Sequence, residues 1–78
     1  MYNSGMKEKT NLALGSALKQ IRKESGLSQE EFALRSGLGL HFVRNLEQGA
    51  SSLRLDKVNQ AFQFFGYELA PARKEPNK

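Results

Sequence analysis

Apolar residues recur at helical spacing in four stretches of the chain, and glycines or polar residues separate them. In residues 12–25, Leu14, Ala17, Leu18 and Ile21 fall at i, i+3, i+4 and i+7, a stripe that predicts an amphipathic helix. Asn11 stands at its cap position and Gly26 at its end. Ser28 followed by Glu31 is a capping box: the hydroxyl accepts from an amide of the first turn while the carboxylate reaches back, so a second helix runs over residues 29–36. Ala33 is small enough for another helix to cross closely, and Gly37 suits the left-handed end of that helix. Phe42, Val43 and Leu46 mark the buried side of a third helix over residues 40–48, closed by Gly49. Asp56 caps a fourth, whose inner face is Val58, Ala61, Phe62 and Phe65 and whose stop is Gly66. Leu34 and Phe64 fit none of these stripes and read as scattered exposed apolar residues.

The ends behave differently. Residues 1–10 are polar and lack periodicity, which predicts a flexible tail ahead of a domain at 11–66. After Gly66, Tyr67, Glu68 and Leu69 alternate, and Pro71 blocks a fifth helix, so residues 67–72 read as one short strand, the other reading being a tail that packs irregularly. A single strand leaves its backbone groups unpaired, and the natural partner is the same segment of a second copy. Tyr67, Glu68, Leu69 and Ala70 are therefore the expected dimerisation residues of a two-fold homodimer. Residues 73–78 form a charged, proline-containing tail. The expected fold is all-α, four helices with one strand closing the dimer.

Residues 27–49 combine two short helices with a tight turn between them, a helix-turn-helix, and this arrangement points to double-stranded DNA. The outward face of the third helix carries Leu40, His41, Arg44, Asn45 and Gln48. A guanidinium can bond guanine bidentately, an asparagine amide can bond adenine, an imidazole can meet a base-edge acceptor, and a leucine can touch a thymine methyl. Leu40, His41, Arg44 and Asn45 are thus the candidate base readers, and Ser28, Gln29, Gln48, Ser51, Ser52 and Arg54 the candidate phosphate contacts.

The net charge of +4 and pI near 9.7 suit a nucleic-acid partner, but the charge sits mainly at the ends. Residues 1–10 contribute +1 and residues 71–78 contribute +2, leaving +1 for the folded part. Specificity therefore rests on the motif. With 78 residues the chain holds one small domain, for which a second copy adds stability. It has no cysteine and one histidine, which leaves no disulfide, no thiolate chemistry and no second imidazole for a metal site. No metal, cofactor or catalytic activity is expected: a serine nucleophile needs a positioned base, and His41 lies on the recognition face. Without a signal-like or membrane-spanning stretch, the expectation is a soluble cytoplasmic protein with no membrane partner.

Leu27, Ser28, Gln29, Glu30, Glu31, Ala33, Gly37, Val43, Leu46, Glu47 and Gly49 together resemble the Xre and lambda-type repressor helix-turn-helix pattern, and the likeness extends over residues 12–66. The resemblance implies a lambda-repressor-like four-helix domain, a backbone-phosphate contact from Gln29, and a groove face at Leu40, His41, Arg44 and Asn45. It also implies a structural bridge between Arg22 and Glu47. Gly39 departs from the serine or threonine that usually opens the recognition helix, and Leu40 replaces a polar reader. The layout with its GYEL ending, residues 66–69, is similar to HipB-type antitoxins. That likeness implies a dimeric repressor of its own operon that binds palindromic operator DNA and a HipA-like kinase toxin. Two other readings are a stand-alone regulator of the Xre or phage type, and a protein-interaction module with incidental DNA binding.

Overall fold

The computed structural model describes residues 4–71, with side chains from Thr10 onward, and the expected tail at 73–78 lies outside these residues. Four helices follow one another: α1 (Ser4–Glu24), α2 (Gln29–Ser36), α3 (Leu40–Glu47) and α4 (Leu55–Gln63). No described helix is long and apolar enough to cross a membrane.

The α2 boundaries follow from the capping box. Ser28 Oγ accepts from Glu31 N–H at 3.0 Å, and the Glu31 carboxylate accepts from Ser28 N–H at 2.8 Å. The turn into α3 uses two left-handed glycines, Gly37 at φ +76° and Gly39 at φ +89°. Between them Leu38 is driven into the core. That φ explains the departure noted at residue 39: a serine or threonine would be strained there, so the turn forgoes a side-chain cap on α3.

Leu18, Phe32, Val43, Leu46 and Ala61 are fully buried, joined by Ala33, Leu38, Val58 and Phe62. All four helices thus feed one core. Phe32 is its aromatic hub, stacked on Phe65 at 5.0 Å and edge-on to Phe64 at 5.2 Å. Phe64 is accordingly anchored although partly exposed, whereas Leu34 stands 84% exposed. Ala17, expected in the α1 stripe, is exposed.

Gly15 is where α1 meets α3 most closely. A methyl group built on it would lie 2.2 Å from the Leu46 carbonyl oxygen and 3.0 Å from that of Glu47, so only hydrogen fits. Further along, Leu12 packs on Gly49 and Asn11 Nδ2 donates to the Ala50 carbonyl. The middle of α1, residues 11–15, therefore lies along the end of α3.

Three expectations need correction. Helix α1 starts at Ser4, not after Asn11, and Asn11 is no cap. Periodicity registers burial rather than helicity, and the Met, Lys and Glu residues of this segment favour helix once a nucleus exists. Asp56 likewise caps nothing from outside: α4 starts at Leu55, and Asp56 in its first turn binds Arg54 and its neighbouring Lys57 N–H. Finally, residues 67–70 form no strand, nor does any other described segment. The premise of unpaired backbone holds only in part. Tyr67 N–H donates to the Phe62 carbonyl and Leu69 N–H to Asn59 Oδ1, so the segment folds back on α4 with Leu69 against the core.

Candidate nucleic-acid interface

A helix can read DNA only if it is held rigidly and presents donors and acceptors away from the core. Helix α3 is held at its far end by Glu47. Arg22, on α1, grips that carboxylate through both forks, Nε to Oε2 at 2.6 Å and Nη2 to Oε1 at 2.8 Å, while its Nη1 donates to the Leu27 carbonyl at 2.8 Å. Gln29 Nε2, at the start of α2, donates to Glu47 Oε1 at 3.0 Å. One carboxylate thus ties together α1, α2 and α3.

Both partners are nearly sequestered, with 7% and 2% of their side-chain surfaces exposed. Burial pushes the Glu47 carboxyl up, but hydrogen bonds from Arg22 and Gln29 outweigh it and hold the group below its ordinary range. The hydrogen bond to Glu47 raises the Arg22 guanidinium further above its already high value, against the opposing effect of burial. Glu47 therefore does not present a naked charge to an approaching polyanion.

Gln29 is consequently more than a surface amide. It was assigned to phosphate from sequence, and here one of its amide hydrogens is committed to Glu47, which fixes where the other points. No local pattern links Gln29 to Glu47; the signal available in sequence was the Arg22 and Glu47 pair, beside which the start of α2 lies.

Along α3, His41 and Arg44 are exposed and Asn45 is half-buried. Arg44 Nη2 lies 3.8 Å from Glu30 Oε2, and with both side chains at least half exposed this contact is weak and readily exchanged for another anion. Asn45 Nδ2 lies 3.2 Å from His41 Nε2, one helical turn back. Leu40 differs from these three: it is half-buried and packs against the core, so it fills the turn as much as it faces outward.

Among the assigned phosphate contacts, Ser28 has its oxygen engaged as the α2 cap but keeps its hydroxyl hydrogen. Gln48, the residue closing α3, is exposed, as are Ser51 and Ser52 in the loop that follows. Arg54 is bound bidentately by Asp56, at 3.2 and 2.8 Å, and the guanidinium draws the Asp56 carboxyl below its usual range. Its charge is therefore locally compensated, a consequence that the Arg54-Leu55-Asp56 spacing contained. Lys57, half-buried, lies over the Phe42 ring at 5.9 Å. Tyr67 is 54% exposed, and Leu55, Leu69, Ala70 and Pro71 line a shallow groove beside it in which Leu55 is 71% exposed.

Residues 18–71 match the helix-turn-helix family. The uncharacterized HTH-type transcriptional regulator y4mF of Sinorhizobium fredii is 36% identical over 61 residues, a span of 78% of this chain and 80% of the relative. No solved structure matches the chain. The match begins within α1 and runs past α4, taking in the buried carboxylate cluster and the outward face of α3. On the family match and the relative together, the chain belongs to the helix-turn-helix family.

Proposed function

We propose that this chain is a sequence-specific DNA-binding transcriptional repressor that inserts α3 into the major groove of operator DNA. The observation that carries this reading is the outward face of α3, where His41, Arg44 and Asn45 stand free of the core on a helix clamped at its end by Arg22, Glu47 and Gln29. A relative that bears the name of a transcriptional regulator supports the same reading.

Within it, the protein acts as a homodimer on palindromic DNA, with half-sites about 34 Å apart, one helical turn. The exposed Tyr67 and the apolar groove with Leu55 support a second copy at this end of the molecule. The strand-paired version of that dimer must now use the backbone groups left over after Tyr67 and Leu69 have bonded inside the chain. The finer assignment is an antitoxin that represses its own operon and binds a HipA-like kinase toxin. It rests on the GYEL segment and the helix layout, and an adjacent kinase-like gene whose product co-purifies with this chain is its test.

DNA binding itself is tested by titrating the full chain with the DNA upstream of its own gene at several salt concentrations. Specific, salt-dependent binding is expected, and the Arg44→Ala variant loses about 1 to 3 kcal/mol of it together with preference at one base pair. Unchanged affinity in Arg44→Ala removes the base-reading role, and absence of specific binding removes the repressor reading.

A further inference from the structure

His41 and Asn45 were assigned separately to base reading, yet they are four residues apart on α3 and bonded to each other at 3.2 Å. Among the described residues neither side chain has another side-chain partner. The chemistry of this contact restricts both groups. With Asn45 Nδ2 facing it, His41 Nε2 is the accepting nitrogen when the ring proton sits on Nδ1. Turning the amide over would place Oδ1 against Nε2, which requires the ring proton to move there. Ring tautomer and amide orientation are therefore locked together.

Resting on the reading that α3 faces bases, we propose that His41 is a positioning residue for Asn45: its imidazole fixes which way round the amide is presented and so selects the base that Asn45 recognises. One amide hydrogen goes to His41. What remains for a base edge is Oδ1, an acceptor, and the second amide hydrogen, a donor, in a fixed order. Adenine offers the complement, an N6 donor beside an N7 acceptor. An amide free to turn over presents both orders and discriminates less. The pair reads one base pair as a unit.

The experiment compares base preference, position by position, for wild type and variants of the full-length chain on a randomised operator, beside nitrogen-15 spectra of the free protein. His41→Ala and Asn45→Ala lose preference at the same base pair, His41→Ala by roughly three- to tenfold, a part of what a bidentate contact supplies. The double variant loses no more than Asn45→Ala alone. His41→Gln, whose side-chain oxygen can accept, restores most of the preference lost in His41→Ala. His41→Lys, which only donates, does not. Because the chain has one histidine, its imidazole signals are unambiguous, and in mildly alkaline buffer they report the Nδ1-protonated tautomer, with that bias lost in Asn45→Ala.

Effects of His41 and Asn45 at different base pairs, multiplicative losses in the double variant, or an Nε2-protonated ring overturn the proposal while leaving DNA reading by α3 intact. Failure of the wild-type chain to bind any member of the randomised pool, with the Nδ1 tautomer present, overturns the reading itself and the proposal with it.

Discussion

At the scale of single residues, the buried carboxylate of Glu47 has the largest energetic consequences. An ion pair taken out of water gives little net stability against a well-packed apolar pair, but removing one partner strands a charge. Arg22→Ala should therefore cost about 3 kcal/mol and lower the melting temperature, whereas a paired replacement of Arg22 and Glu47 by Met and Leu should cost far less. Thermal denaturation of the wild-type chain and the two variants checks this, and a loss of DNA affinity in Arg22→Ala with unchanged stability would instead make Arg22 a phosphate contact. Gly15 sets two known effects against each other. Alanine is favoured over glycine inside a helix by about 1 kcal/mol, but overpacking a tight contact costs about 1 to 3 kcal/mol. The neighbour here is the Leu46 carbonyl, backbone that cannot swing aside, so overpacking wins and Gly15→Ala should be destabilising by chemical denaturation.

At the scale of elements, local chemistry accounted for α2 best, because the capping box and Gly37 are signals contained within the helix and its two ends. The start of α1 and the path of residues 67–70 escaped it for a shared reason. A helix start without an apolar stripe and a segment tied to a remote side chain, Asn59, both leave no mark in periodicity. If the carboxy-terminal segment joins two copies, deletion after Gly66 should shift the protein toward monomer in sedimentation. Because deletion also removes Leu69 from the core, Glu68→Pro is the cleaner variant: it takes away a backbone donor that has no partner among the described residues. A dimer intact in both variants rules the segment out as the interface.

For the whole molecule, the carboxylates give stability a definite acid limb. Glu47, Glu31 and Asp56 all have folded-state pKa values lowered, from ordinary values of 4.5, 4.5 and 3.8. Burial opposes the shift at Glu47, and the hydrogen bonds from Arg22 and Gln29 overcome it; Glu31 is lowered by the Ser28 N–H and Asp56 by Arg54. The unfolded chain therefore takes up protons first on acidification. The stability these groups supply is complete above about pH 4.5 and is lost as pH falls through the folded-state values. Denaturation followed across pH should be flat for these groups down to that point and fall below it, and Glu47→Gln should be less stable at neutral pH with a shallower acid slope.

The sequence by itself determined the four-helix plan, the corner between α2 and α3 and the outward placing of His41, Arg44 and Gln48, because periodicity, caps and turn glycines act within a few residues. The Arg22 and Glu47 pair was implied there only by resemblance. Tertiary structure alone decided that Gln29 joins that pair, that Gly15 must lack a side chain and that Leu40 turns partly to the core. Most of these depend on how closely elements distant in sequence approach. Approach distance is set by the shape of the filled core, which no local pattern contains.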